Sequence, residues 1–130
     1  MARVVLDASI VIAVATPADS KHRSAYAALD TRRADELILP ASAYTETLVW
    51  PMSLGNDAVQ QLETFIEEMG IVVAPITREV ARRAAELRSQ RRSLRLGDAI
   101  VLAAGDVLAA DEVLTSDRRW AKASERVVLV

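Results

Sequence analysis

The stretch Arg3-Val4-Val5-Leu6-Asp7-Ala8-Ser9-Ile10-Val11-Ile12-Ala13-Val14-Ala15 decides the fold. Val4, Val5 and Leu6 form a short, mainly β-branched run, so Arg3 to Leu6 reads as a strand. Asp7 ends it, and the apolar run from Ile10 to Ala15 reads as a short helix. The same alternation recurs along the chain. Ser20 to Arg33 is expected to be helical, and Leu37 to Leu39 a strand stopped by Pro40. Ser42 is expected to open a helix through Leu48 that Pro51 ends or kinks. Asp57 to Met69 places Val59, Leu62, Phe65 and Ile66 on one helical face, and Gly70 ends it. Ile71 to Ala74 is the third strand. Thr77 caps a helix to about Gln90, with Val80, Ala84 and Leu87 inward and Arg78, Arg82 and Arg92 outward. Asp98 to Ala109 reads as a buried helix, and Glu112 to Thr115 and Val127 to Val130 complete five strands. Short strands separated by helices imply a parallel sheet covered on both faces.

Composition narrows the chemistry. A chain of 130 residues, 52% hydrophobic, fits a single domain over residues 1–130. It is long enough to bury roughly two-thirds of its unfolded surface. Aromatic residues make up 4%, so the core must be aliphatic. With no cysteine, disulfides, thiolate metal sites and cysteine nucleophiles are excluded, which suits a reducing cytoplasm. The single histidine, His22, excludes chemistry built on a histidine pair and is expected on an exposed polar helix face. No apolar run is long enough for a signal peptide or a membrane span. Seven arginines against Glu79 and Glu86 give the Arg78 to Arg95 stretch a local charge of +5. Because the net charge is −2, the rest carries −7. Such a stripe can meet RNA phosphates, although a solvated helix face explains it as well.

In parallel sheets ligands bind beyond the carboxyl ends of the strands. Asp7 ends the first strand, Asp117 follows the fourth, and Glu46 and Asp98 lie near the starts of helices that can face the same edge. Singly, Asp7 reads equally well as a helix cap, Asp98 as a first-turn acid favoured by the helix dipole, and Asp117 as a turn residue. Glu46 lies one turn beyond the expected cap. Together, four acids on one edge repel one another unless a cation neutralises them, at a few kcal/mol per pair at about 4 Å. Hard divalent ions prefer such oxygen donors.

The segments Val4-Val5-Leu6-Asp7-Ala8-Ser9, Pro40 to Leu48 with Glu46, Gly97-Asp98-Ala99-Ile100 and Leu114-Thr115-Ser116-Asp117 resemble the PIN-domain family. More narrowly they resemble the VapC-type toxins of bacterial toxin–antitoxin modules, with order and spacing matching from Arg3 to Val130. The resemblance implies a PIN-like three-layer sandwich, a five-stranded parallel sheet flanked by helices. It also implies an Mg²⁺- or Mn²⁺-dependent endoribonuclease, a homodimer, and inhibition by a cognate antitoxin bound as a heteromer. It carries catalytic and metal-binding roles onto Asp7, Glu46, Asp98 and Asp117, with Ser9 and Thr115 supporting them. Arg118 and Arg119, directly after Asp117, are candidates for RNA contact. Trp120 stands where many relatives have phenylalanine, a departure expected to affect packing only. Asp106 and Asp111 read as surface or capping residues. Tyr44, Trp50 and Met52 form either a partner ridge or core.

Two readings compete. A catalytically inactive PIN-like binding module would keep the fold and the partner surface. A phospho-accepting signalling domain also uses clustered acids and Mg²⁺, but needs a lysine late in the sheet. The only lysines, Lys21 and Lys122, do not end strands. A phosphatase with an Asp-x-Asp motif is disfavoured by Ser9.

Overall fold

The computed structural model describes residues 1–130. Five strands, β1 (Arg3–Leu6), β2 (Glu36–Pro40), β3 (Ile71–Ala74), β4 (Glu112–Thr115) and β5 (Val127–Leu129), alternate with helices. The helices are α1 (Ala8–Ala15), α2 (His22–Asp30), α3 (Ala41–Leu54), α4 (Asn56–Glu68), α5 (Arg78–Gln90) and α6 (Leu96–Val107). A 3₁₀ turn covers Arg118–Trp120. All strand pairs are parallel, in the order β3-β2-β1-β4-β5. Right-handed crossovers place α1 to α4 on one face and α5 and α6 on the other, giving three layers. No helix is long and apolar enough to cross a membrane.

The chain leaves β1 towards β2 and later returns to β1's other side as β4. The sheet therefore has a switch point between β1 and β4, and their carboxyl ends flank a crevice. Register across it is set by Val5 opposite Val113 and Leu6 opposite Leu114. The amide of Asp7 extends the pairing one step by donating to the Leu114 carbonyl at 2.9 Å.

The core contains 29 buried hydrophobic residues, and Trp120 is its only aromatic. The rest is aliphatic, as the low aromatic content requires. Helix α6 packs against β1, β2 and β4. It lies close because Gly105 has no side chain: a Cβ there would sit 2.6 Å from Val113 Cγ2.

Several element boundaries differ from expectation. The second helix is shorter than Ser20 to Arg33, because the chain leaves it in tight turns: Thr31 donates to Ala27 and Arg32 to Leu29. Helix α3 begins at Ala41 with Pro40 in the cap position, so Ser42 is not the cap; its hydroxyl is buried without a partner. Pro51 neither ends nor breaks α3, which runs on to Leu54. Near the helix end proline removes a single backbone donor, and the following turn still closes through Gly55 N to Pro51 O at 3.1 Å. The expected Asp98–Ala109 helix starts two residues earlier, at Leu96, and ends at Val107. Arg92 lies beyond α5 rather than on its outer face. Thr77 caps α5 as expected, accepting from Val80 N at 3.1 Å.

Candidate functional site

Asp7 stands immediately after β1, at the N-cap position of α1, yet its side chain does not cap that helix. Its Oδ2 accepts from Ser9 Oγ at 2.8 Å and from Thr115 Oγ1 at 2.9 Å. These hydroxyls are themselves held: Ser116 N donates to Ser9 Oγ at 3.2 Å, and Asp117 N donates to Thr115 Oγ1 at 3.1 Å. Both hydroxyls share one oxygen, so Oδ1 is left free of side-chain donors. Burial pushes the Asp7 carboxyl up, and the Ser9 and Thr115 hydroxyls oppose that shift.

Glu46, in the second turn of α3, projects to the same edge. A Cβ on Gly97 would lie 2.9 Å from Glu46 Oε1, so the glycine at the start of α6 gives this carboxylate its room. Its carboxyl is also raised, first by desolvation and then by the charges of Asp7 and Asp98. Asp98, in the first turn of α6, is raised by burial, Asp7 and Asp117, with Arg119 and the Trp120 indole opposing. Each acid thus feels its neighbours, although three come from separate elements and Asp117 from a fourth.

Asp117 behaves differently. It caps the 3₁₀ turn by accepting from Arg119 N at 3.0 Å. The Arg119 guanidinium also grips both carboxylate oxygens, with contacts between 2.5 and 3.1 Å. This holds the Asp117 carboxyl below the usual carboxylate range. Arg119 therefore reaches its own neighbour rather than standing free for a phosphate. Arg118 is exposed and forms no ion pair.

The donor set is all hard oxygen, with surplus negative charge and no thiolate or imidazole. No three His, Cys, Asp or Glu side chains lie close enough to enclose an ion unaided. That arrangement fits Mg²⁺ or Mn²⁺, since Mg²⁺ commonly takes one or two carboxylates and keeps several waters.

The remaining sequence candidates fall elsewhere. His22 is half-buried, its Nδ1 2.9 Å from the Ala13 carbonyl, because α2 packs on α1. Asp106 accepts from Arg83 at 2.8 Å and pairs with Arg126, and Asp111 accepts from Arg3 N at 2.8 Å. In the basic stripe, Arg83 is thus engaged and Arg88 donates to the Leu94 carbonyl. Tyr44 is half-buried and donates to Glu63, whereas Trp50 and Met52 are exposed, at 69% and 60%. Sequence reading missed an apolar groove of about 590 Å³ between α1, α3 and α4, lined by Ile12, Trp50, Leu54, Leu62 and Phe65, with Glu46 at its end. Its signal was an α3 segment, Val49 to Leu54, too apolar for the solvent it faces.

A parallel α/β sandwich with an acid-lined crevice at its switch point is the class that fold and site define. The chain belongs to the PIN domain family, whose profile matches residues 4–126. Among solved structures, VapC20 of Mycobacterium tuberculosis, described as a sarcin-ricin loop cleaving toxin, superposes with a TM-score of 0.77 at 16% identity, over 93% of this chain and 95% of that one. VapBC2 of Rickettsia felis, bound to a promoter DNA fragment, gives 0.76 at 12% identity over 98% and 96%. A toxin–antitoxin complex from Klebsiella pneumoniae gives 0.74 at 23% identity over 96% and 95%. No curated protein matches the sequence closely enough to add to this.

Proposed function

We propose that the chain is a Mg²⁺- or Mn²⁺-dependent endoribonuclease, the toxin of a VapBC-type toxin–antitoxin pair acting in the cytoplasm. The observation that carries this reading is the convergence of Asp7, Glu46 and Asp98, each raised by burial and two of them by their acidic neighbours, at the strand ends beside Asp117. Such a group is short of positive charge. When bound, a divalent cation supplies Lewis acidity that acidifies water and offsets the charge of a phosphodiester.

Asp7, Asp98 and Asp117 would hold the ion, with Glu46 binding directly or through water. The Ser9 and Thr115 hydroxyls orient Asp7 so that its free oxygen faces the crevice. Glu46, with its raised proton affinity and few partners, is placed to take a proton from the attacking water. Arg118 is free to meet a flanking phosphate. In-line attack by water on phosphorus expels the 3′-oxygen, leaving 5′-phosphate and 3′-hydroxyl ends.

The groove at Trp50 supports the antitoxin as partner, because a protein segment seated there would end at Glu46 and cover the acids. The exposed α3 ridge of Val49, Trp50 and Met52 also offers a surface to a second copy, in line with a homodimer. One observation favours an inactive binding module instead: no three acids enclose an ion, and Arg119 already occupies Asp117.

The deciding experiment incubates purified protein with total RNA and Mg²⁺ or Mn²⁺, with and without EDTA, and maps the new ends. Metal-dependent cuts with 5′-phosphates are expected. Undiminished cutting in EDTA, or 2′,3′-cyclic phosphates, overturns the mechanism. Metal binding without any cut supports the binding module.

A further inference from the structure

Trp120 is the largest fully buried side chain, 1% exposed, and sits in the turn that carries Asp117. Its backbone amide donates to the Asp117 carbonyl at 3.1 Å. Its indole Nε1–H, however, is buried with no acceptor at hydrogen-bonding distance. Buried donors are normally paired, and a phenylalanine would fill the same space without leaving one stranded. The acid this N–H acts on is Asp98, whose carboxyl it draws down against burial and the charges of Asp7 and Asp117. No other protein group donates to Asp98. A carboxylate's terminal torsion is broad, so a modest rotation is enough to bring an oxygen onto the indole N–H.

We propose that the Trp120 indole N–H is the positioning donor for Asp98, holding that carboxylate in place when the acids at the strand ends close on a divalent cation. The bond would tie the turn bearing Asp117 to the helix bearing Asp98, so two acids from different elements keep one relative position. With one oxygen of Asp98 held, the other is directed towards the crevice. This inference rests on the metal site proposed above, and it gives Trp120 a role beyond packing.

The test reads the indole directly. In a ¹H–¹⁵N spectrum the two indole signals are assigned with Trp50→Phe. The Trp120 proton is expected to exchange slowly, to move downfield on adding Mg²⁺, and to move upfield in Asp98→Ala with loss of the Mg²⁺ response. Mg²⁺ affinity is then compared between wild type, Trp120→Phe and a protein carrying benzothienylalanine at position 120, in which sulfur replaces the N–H at nearly unchanged shape. Both should bind Mg²⁺ about 10–100-fold more weakly, as loss of an outer partner of a metal ligand commonly does. The sulfur isostere should keep the wild-type Tm. An indole proton blind to Asp98→Ala, or an isostere with unchanged Mg²⁺ affinity, overturns the inference. If the wild type binds no Mg²⁺, the metal reading falls, while the Asp98→Ala shift still decides the hydrogen bond.

Discussion

Both edges of the sheet carry four acids, and the two edges treat them in opposite ways. At the amino ends of the strands each acid has a donor. Asp35 accepts from Ala2 N, Glu36 from the Arg3 side chain, Asp111 from Arg3 N, and Glu112 from Arg32 through two contacts of 3.0 Å. At the carboxyl ends only Asp117 has a cation. Asp7 has two neutral hydroxyls, and Glu46 and Asp98 repel their neighbours. The amino edge is assembled for stability. The carboxyl edge keeps an unresolved charge, which is what a site for a cation requires.

The sharpest way to break this contrast is Asp7→Asn, which keeps the shape and both hydroxyl contacts but removes a charge. RNA cleavage should fall roughly 10²-fold or more, since loss of even an outer partner costs about 10–100-fold. Cleavage within tenfold of wild type would remove Asp7 from the site. Next in size is the response to metal. Mg²⁺ at a hundredfold excess over its dissociation constant should stabilise the wild type by about 2.7 kcal/mol in urea unfolding. Asp98→Asn should gain much less while matching or exceeding wild-type stability in EDTA. Equal gains in both proteins would dissolve the proposed site.

Glu112→Gln probes the amino edge. The Arg32–Glu112 pair is half-buried and bidentate. Its loss should cost roughly 1–2 kcal/mol, above the range of an exposed pair, and leave the Mg²⁺ gain intact. A diminished Mg²⁺ gain would show that the edges are not independent.

The edges should also differ in pH response. Asp7, Glu46 and Asp98 have raised proton affinities in the folded chain. Folded protein then holds protons the unfolded chain releases. The stability they contribute is complete below the ordinary carboxylate range near ~4, and drains as pH rises through the raised values. Asp117, lowered by Arg119, has the opposite sign: its contribution is present above that range and is lost as pH falls through the lowered value. In EDTA, stability should therefore decline as pH climbs from about 4 towards neutrality, and Asp7→Asn should flatten the decline. A wild type whose stability rises over that interval contradicts the assignment.

The smallest effect belongs to Arg119→Gln. The guanidinium is 63% exposed, so its grip on Asp117 is worth no more than about 1 kcal/mol. Freeing Asp117 should tighten Mg²⁺ binding roughly two- to fivefold, read by titration calorimetry. Weaker binding would make Arg119 part of the cation site rather than its competitor.

What the sequence disclosed follows from which forces are local. The strand cores stand out because Val4, Val5, Ile38 and Val113 are apolar wherever both sheet faces are covered. Thr77 discloses its cap because the acceptor and the amide it meets are three residues apart. The four acids could be proposed as a set, since position after a strand depends on topology rather than on side-chain angles. Arg119 gave no such signal. A guanidinium beside an acid in sequence turns towards it or away depending on the local turn, and here the 3₁₀ turn folds it back. Pro51 misled for a related reason: its effect depends on how much helix remains beyond it. Trp120 looked like packing because an orphaned N–H is visible only once the surrounding core is built.

Gly105 has a reach beyond the contact it relieves. It lies seven residues from Asp98 on the same rigid rod, roughly 10 Å away, and seats that rod on Val113 of β4. Any larger residue would act as a wedge at one end of a lever whose other end aims a carboxylate. In a survey of every single substitution scored by RNA cleavage, position 105 should therefore group with the acids, although it carries no polar side-chain atom.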